Sequence, residues 1–336
     1  MKELVQNGKT YCLPSILSPF QEKLYIHLID WKRKYITTES GKAHGCTYDA
    51  ILPDNIGKQR PLVYPEIRSA LEEHLQRFPF RIHKYFNHMA SSQLANINLF
   101  LPILRHQEVD AILGEIKPDL ARLATEYLDY GYQIEFSDGK PGSLGDKTNV
   151  SGTDSDIAIA YYNHNGTLCL WLIEHKLTET EFTECGGFRS KGRLPQHDCN
   201  KSFAELVECP SACYYHDAKM FNYWKITSAN REFFPNYNQS TGCPFRGGMN
   251  QLWRNQLLGL AIEQDKNQAY QQVTFSIVRH PRNCSLDKTI CDYQALINGN
   301  SKFTSLTSAD IISAATANAD GQLLAWVKWY RELYAV

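Results

Sequence analysis

No stretch of the 336 residues approaches the eighteen or so consecutive apolar side chains of a membrane-spanning helix. Neither sign of charge is in excess. Thirty-five basic and 36 acidic side chains leave a net charge of -1, which removes any overall pull toward polyanions or anionic lipid and confines a nucleic-acid site to a local patch. The opening MKELVQNGKTYCLPS lacks the apolar core of an export signal, so a cytoplasmic protein with no membrane association is the expectation. Internal repeats and low-complexity runs are absent too. A hydrophobic content of 43% is ample for a folded core.

What the chain does have is a change of rhythm. SPFQEKLYIHLIDWKRKYI and YPEIRSALEEHLQRF repeat apolar residues at three- and four-residue spacing, so the first eighty or so residues read as a helical extension (1–85) with a Gly/Pro-containing joint at 41–61. MASSQLANINLFLPIL follows as a helix capped by Ser91 or Ser92, and DLARLATEYLDY, from about Pro118 to Tyr130, as another that Gly131 stops. YQIEF (132–136), DIAIAYY (156–162) and LCLWLIE (168–174) then alternate as strands. A helix is expected over 250–264, a strand over 270–280 and a final helix over 319–333. Helix, three strands, helix, strand implies an α/β fold with a mixed sheet, here a domain over 86–336.

Charged residues end the third strand, and the hairpin explains where they go. Asn163-His164-Asn165-Gly166 is turn chemistry, because Asn-Gly adopts positive φ cheaply. With the turn centred near residue 165, Asp156 lies nine positions before it and Glu174 nine after, so both carboxylates reach the same end of the sheet. Side-chain alternation puts Lys176 on the face of Glu174. Two close carboxylates repel unless a proton or a cation sits between them. Mg²⁺ or Mn²⁺ suits a site made of Asp156, Glu174 and the backbone carbonyl of His175. An isolated Glu-x-Lys triplet carries no such message; at a surface it is an ordinary salt bridge of little worth.

Asp156, seventeen intervening residues and then Glu174-His175-Lys176 resemble the PD-(D/E)xK, or restriction-endonuclease-like, nuclease superfamily. The order of elements resembles the shared core of that superfamily, and the SSQLANINLF segment resembles one found in a bacterial subset of it. The resemblance implies a restriction-endonuclease-like αβββαβ core and Mg²⁺-dependent hydrolysis of phosphodiester bonds. It favours DNA over RNA, with restriction, repair or defence as the setting, and it is compatible with a homodimer. Asp156, Glu174 and Lys176 would be catalytic, and a further acidic ligand would come from Glu126 or Glu115, or its place be taken by Gln93. Asp154 competes with Asp156 but would set polar Ser155 inside the strand. Rival readings are an RNA nuclease and a catalytically inactive, metal-stabilised binding module.

Residues 177–247 hold five of the ten cysteines and little periodicity, which marks an insertion organised by something besides a continuous core. Cys199, Cys209, Cys213 and Cys243 run C-x9-C-x3-C-x29-C, with Cys185 a substitute for one of them. Four thiolates suit Zn²⁺ or a [4Fe-4S] cluster, His197 or His216 could replace a thiolate on zinc, and scattered reduced thiols are the alternative. Cys169 belongs to the core. For contacts to nucleic acid the candidates are Gln251 and Arg254, three apart on one helix face, and Arg189, Lys191 and Arg193 in FRSKGRL, with Arg279 and Arg282 beyond the last strand.

Overall fold

A computed structural model describes residues 1–147, 152–189, 197, 199–239, 241–318 and 320–336. Two short hairpins stand at the start, Lys2–Gln6 with Lys9–Leu13 and Gly41–Ala43 with Cys46–Tyr48. Each turns on a pair with positive φ, Asn7-Gly8 and His44-Gly45. The reading of this region as helical overlooked both, although Asn7-Gly8 carries the same signal as Asn165-Gly166.

Helix α1 (Pro19–Tyr35) starts at a capping box made by Ser18 and Gln21. Helix α2 (Arg68–Arg77) follows a short 3₁₀ turn. Helix α3 (Ser92–Leu104), capped by the Ser91 hydroxyl, is buried from Gln93 to Leu104. Such all-round burial belongs to a helix inside the protein rather than on its face. Helix α4 (Val109–Ile116) precedes strand β1 (Leu120–Leu123).

That strand corrects the helix expected over 118–130. Leu120 and Leu123 have helical spacing, but β1 pairs with the stretch Tyr161–Asn163, and Leu128 and Tyr130 take left-handed backbone that no helix accepts. An otherwise bare sheet edge outweighs local propensity here.

Strands β2 (Tyr132–Phe136), β3 (Ser155–Asn163) and β4 (Leu168–Lys176) form an antiparallel meander. The chain then crosses a segment with short helices, α5 (Phe203–Glu208) and α6 (Tyr223–Ala229). It returns through α7 (Met249–Gln264) to β5 (Gln272–Arg279), which runs parallel to β4. Helix α8 (Asp287–Leu296), strand β6 (Phe303–Thr307), α9 (Ser308–Ala317) and α10 (Gly321–Tyr334) complete the chain. Among the described residues the main sheet has six strands in the order β6-β5-β4-β3-β1, with β2 also on β3. It is a mixed α/β fold with a restriction-endonuclease-like αβββαβ core, an N-terminal extension and a cysteine-bearing insertion. No helix among those residues is long and apolar enough to cross a membrane.

Strand alternation separates two apolar layers. Trp171 and Ile173 of β4, with Ile157 and Ile159 of β3, pack against α3, α10 and residues of the extension such as Leu28 and Leu71. Leu170 and Leu172, with Ala158 and Ala160, pack against α7 and the insertion. The insertion has an aromatic core of its own around Phe203, Trp224, Phe234 and Phe245. Phe245 stacks on Trp253 of α7 at 4.1 Å. Hydrophobic burial thus organises more of this segment than its lack of periodicity suggests.

Candidate active site

The β3–β4 ladder runs from Tyr162 opposite Leu168 to Ile157 opposite Ile173, which sets Asp156 opposite Glu174. Both carboxylates extend from the face occupied by Ala158 and Leu172, the face that α7 covers. Beyond Ile157 the ladder is finished by a side chain. The Ser155 hydroxyl accepts from the Ile173 N–H at 3.0 Å and donates back to the Ile173 carbonyl at 2.9 Å. The next amide, His175 N–H, donates to Asp156 Oδ2 at 2.7 Å. Asp154 stands apart, paired with Lys147 at 2.9 Å.

Both oxygens of the buried Glu174 are engaged. Oε1 accepts from Lys176 Nζ at 2.9 Å and from the Gln251 amide at 2.6 Å, while Oε2 accepts from Asn255 at 3.0 Å. Gln251 and Asn255 are four apart on α7 and so face Glu174 together. Gln251 also accepts from the Thr183 N–H. Arg254, the other helix residue expected to meet substrate, donates to Thr153 at 2.9 Å and reaches Asp146 at 3.5 Å. Asn255 was legible in the same helix spacing and went unread.

A third carboxylate joins from β2. Ile134 pairs with Ile157 and Phe136 with Ser155, so Glu135 falls opposite Asp156. Glu135, Asp156 and Glu174 therefore form a row across three adjacent strands. Tyr132 and Ile134 face the first layer and Phe136 the second, so alternation breaks at Glu135, whose φ is +52°. Left-handed backbone in a glutamate costs on the order of 1–3 kcal/mol and persists only where the surroundings impose it. From α3, Gln93 donates to the Glu135 carboxylate at 2.9 Å and Asn96 to the Asp156 carbonyl at 3.0 Å.

The third acidic side chain of the row thus stands on β2. Glu126 bonds the Tyr162 hydroxyl and Glu115 bonds Asn318, both away from the row. Gln93 is adjacent to the row as the amide that holds Glu135.

Full ionisation of the row would leave unbalanced negative charge. Burial, then the neighbouring Glu174 and Glu135, pushes the Asp156 carboxyl well above its ordinary range, although Lys176 and the His175 N–H pull the other way. Burial also raises Glu135 to about 7 against the pull of the Gln93 hydrogen bond, with repulsion from Glu174 and Asp154 adding to the rise. For Lys176, burial opposes the charge, yet Glu174, Glu179 and Asp156 together outweigh it and keep the ammonium protonated. His175 points to the opposite face, where burial lowers its imidazole to about 4. Its backbone N–H points to the β3 edge while Lys176 O accepts from His280 on the β5 side, so the His175 carbonyl also faces the β3 edge.

Oxygen donors of this kind fit a hard divalent ion, and a cation would relieve the repulsion between them. As they stand, no group of three or more His, Cys, Asp or Glu among the described residues is arranged to hold a metal ion. The oxygens of Glu174 are spent on Lys176, Gln251 and Asn255.

The remaining candidates scatter. Arg189 is exposed and pairs with Glu184 at 2.7 Å, and Lys191 and Arg193 lie outside the described residues. Arg279 pairs with Asp287 and Arg282 bonds the Ala335 carbonyl. Of the cysteines, Cys199, Cys213 and Cys243 line one void with Cys185, whereas Cys209 is at the surface beside Ser211. His197 is buried against Asp217 at 2.9 Å.

A family model described as "Restriction Endonuclease associating with ARP" matches residues 25–335. Neither a search of curated proteins nor one of solved structures gave a match.

Proposed function

The chain belongs to the family of restriction endonucleases associating with ARP, and from that premise we propose that it is a PD-(D/E)xK nuclease. It hydrolyses phosphodiester bonds of DNA at the rim of the β2–β3–β4 sheet, with Mg²⁺ or Mn²⁺. The observation that supports this most is the row of Glu135, Asp156 and Glu174 with Lys176 bonded to its end. Three carboxylates and one ammonium leave a local excess of negative charge that a divalent cation balances.

Asp156 and Glu174 would hold the ion, with the His175 carbonyl and Glu135 beside them. When bound, such an ion polarises a phosphoryl oxygen and lowers the pKa of an attacking water. Lys176 is held as an ammonium, so it acts as a donor that orients the water and balances charge on the phosphate. Gln251 and Asn255 keep Glu174 aimed at the rim, and Gln93 does the same for Glu135. The family description adds association with ARP, which makes a partner of that designation part of the reading.

Supercoiled plasmid and labelled single-stranded DNA and RNA, incubated with the full chain and Mg²⁺ or Mn²⁺, test the reading. Cleavage of DNA that stops with chelator and with Lys176→Ala is expected. Binding without cleavage in wild type and variant alike would leave a metal-stabilised binding module. Cleavage confined to RNA would make it a ribonuclease, and cleavage unaffected by Glu174→Ala would move the site elsewhere.

A further inference from the structure

Four stretches of chain that share no regular element each bring a thiol to one place in the insertion. Cys185, Cys199, Cys213 and Cys243 line a void of about 20 Å³ walled by Leu206, Ala212, Trp224, Phe245 and Trp253. The backbone ties these stretches together. Cys243 N–H donates to the Cys199 carbonyl at 3.2 Å, and Cys185 N–H to the Arg246 carbonyl at 3.3 Å.

At Gly187 a Cβ would stand 3.5 Å from Cys185 Sγ, so the glycine backbone runs against the sulfur. None of the four is in a disulfide, and four sulfurs converging on one void suit a borderline-soft cation that binds them as thiolates.

We propose that Cys185, Cys199, Cys213 and Cys243 bind one Zn²⁺ tetrahedrally, as a closed structural site that pins the insertion to α7. The free space between the sulfurs, roughly that of one water-sized sphere, suits a single ion. Four protein sulfurs leave no open position, as in structural zinc sites. On binding, each thiol gives its proton to solvent and the complex carries two net negative charges, beside Arg246 in the lining. Since the sulfurs are not yet arranged to grip an ion, binding draws them in around the void. The Phe245–Trp253 stack joins the site to α7, where Trp253 lies between Gln251 and Asn255.

Elemental analysis of the full chain, purified without chelator, tests the proposal. About one zinc per chain is expected, released by a thiol-blocking mercurial. Cobalt in its place should show the strong charge-transfer bands of tetrahedral thiolate cobalt. Cys185→Ser should lower zinc content at least about tenfold, and Cys209→Ser should leave it unchanged. If Cys185→Ser does not fold, the wild-type cobalt spectrum decides, together with a thiol count that rises by four on zinc removal. A metal-free protein with all four thiols reactive overturns the site. Zinc lost with Cys209→Ser and kept with Cys185→Ser overturns the ligand assignment, and a brown protein carrying iron and sulfide overturns the ion.

Discussion

The carboxylate rim and the thiol-lined void differ in what brings their groups together. At the rim, strand register does it. Glu135, Asp156 and Glu174 are consecutive members of one cross-strand row, and each position follows from pairing rules. At the void, loops do it. Cys185 and Cys213 are 28 positions apart with no ladder joining them among the described residues, and their approach depends on how aromatic side chains pack. Register therefore fixes where the rim residues stand before any ligand arrives, although their oxygens are not yet turned to one ion, whereas the approach of the thiols depends on packing between loops.

The largest expected effect separates the two. Lys176→Ala should lower DNA cleavage about 10³-fold, the scale of losing one donor to developing charge, while zinc content stays at the wild-type value. Simultaneous loss of zinc would merge the two regions into one cooperative unit. Glu174→Ala is the harsher change, because it strips a buried ammonium of its partner at a cost of roughly 3–5 kcal/mol. Glu174→Gln is the better probe of chemistry.

Gln93→Ala acts one shell further out. Releasing the Glu135 carboxylate should weaken Mg²⁺ or Mn²⁺ binding about 10- to 100-fold, read by calorimetry. Unchanged affinity would mean that Glu135 does not share the ion.

The pH dependence of stability has opposing contributions, and the rim supplies one of them. Glu135 stands near 7 against an ordinary 4.5, so the cation-free fold keeps a proton that the unfolded chain has released. Stability therefore falls as pH rises from about 4.5 to about 7. His175 and His280 stand near 4 against an ordinary 6.5 and are buried neutral, so they remove stability as pH drops from about 6.5 to about 4. Glu135→Gln should weaken the first trend, to which the raised Asp156 carboxyl also contributes, and leave the second. In melting curves without divalent ions the variant should gain a few degrees over wild type at pH 7, and a constant gap at every pH would contradict the assignment.

The smallest effect belongs to Glu126→Gln. Exposed and hydrogen-bonded to the Tyr162 hydroxyl, Glu126 should leave both stability and cleavage at the wild-type values when replaced.

Legibility follows the same division. The Asn163–Gly166 turn gave a count from which Asp156 and Glu174 met, and the structure pairs their strands in that register. Glu135 escaped because residues 137–154 separate its strand from β3, and no count crosses so long a loop. It was nonetheless the one acid within YQIEF. Spacing along a chain says little about closure in space, and the structure lines the void with Cys185 while Cys209 is exposed. The supposed helix at 118–130 failed because an unpaired sheet edge, invisible in local periodicity, claimed Leu120–Leu123 as a strand.

The central claim is that three carboxylates share a field which a divalent ion balances. Calorimetric titration of Mn²⁺ into the full chain at neutral pH, in two buffers of different ionisation enthalpy, tests it most directly. One saturable site whose occupation releases protons, lost in Asp156→Asn, is the predicted result. No binding to the intact row, or binding that releases no proton and survives Asp156→Asn, would contradict it.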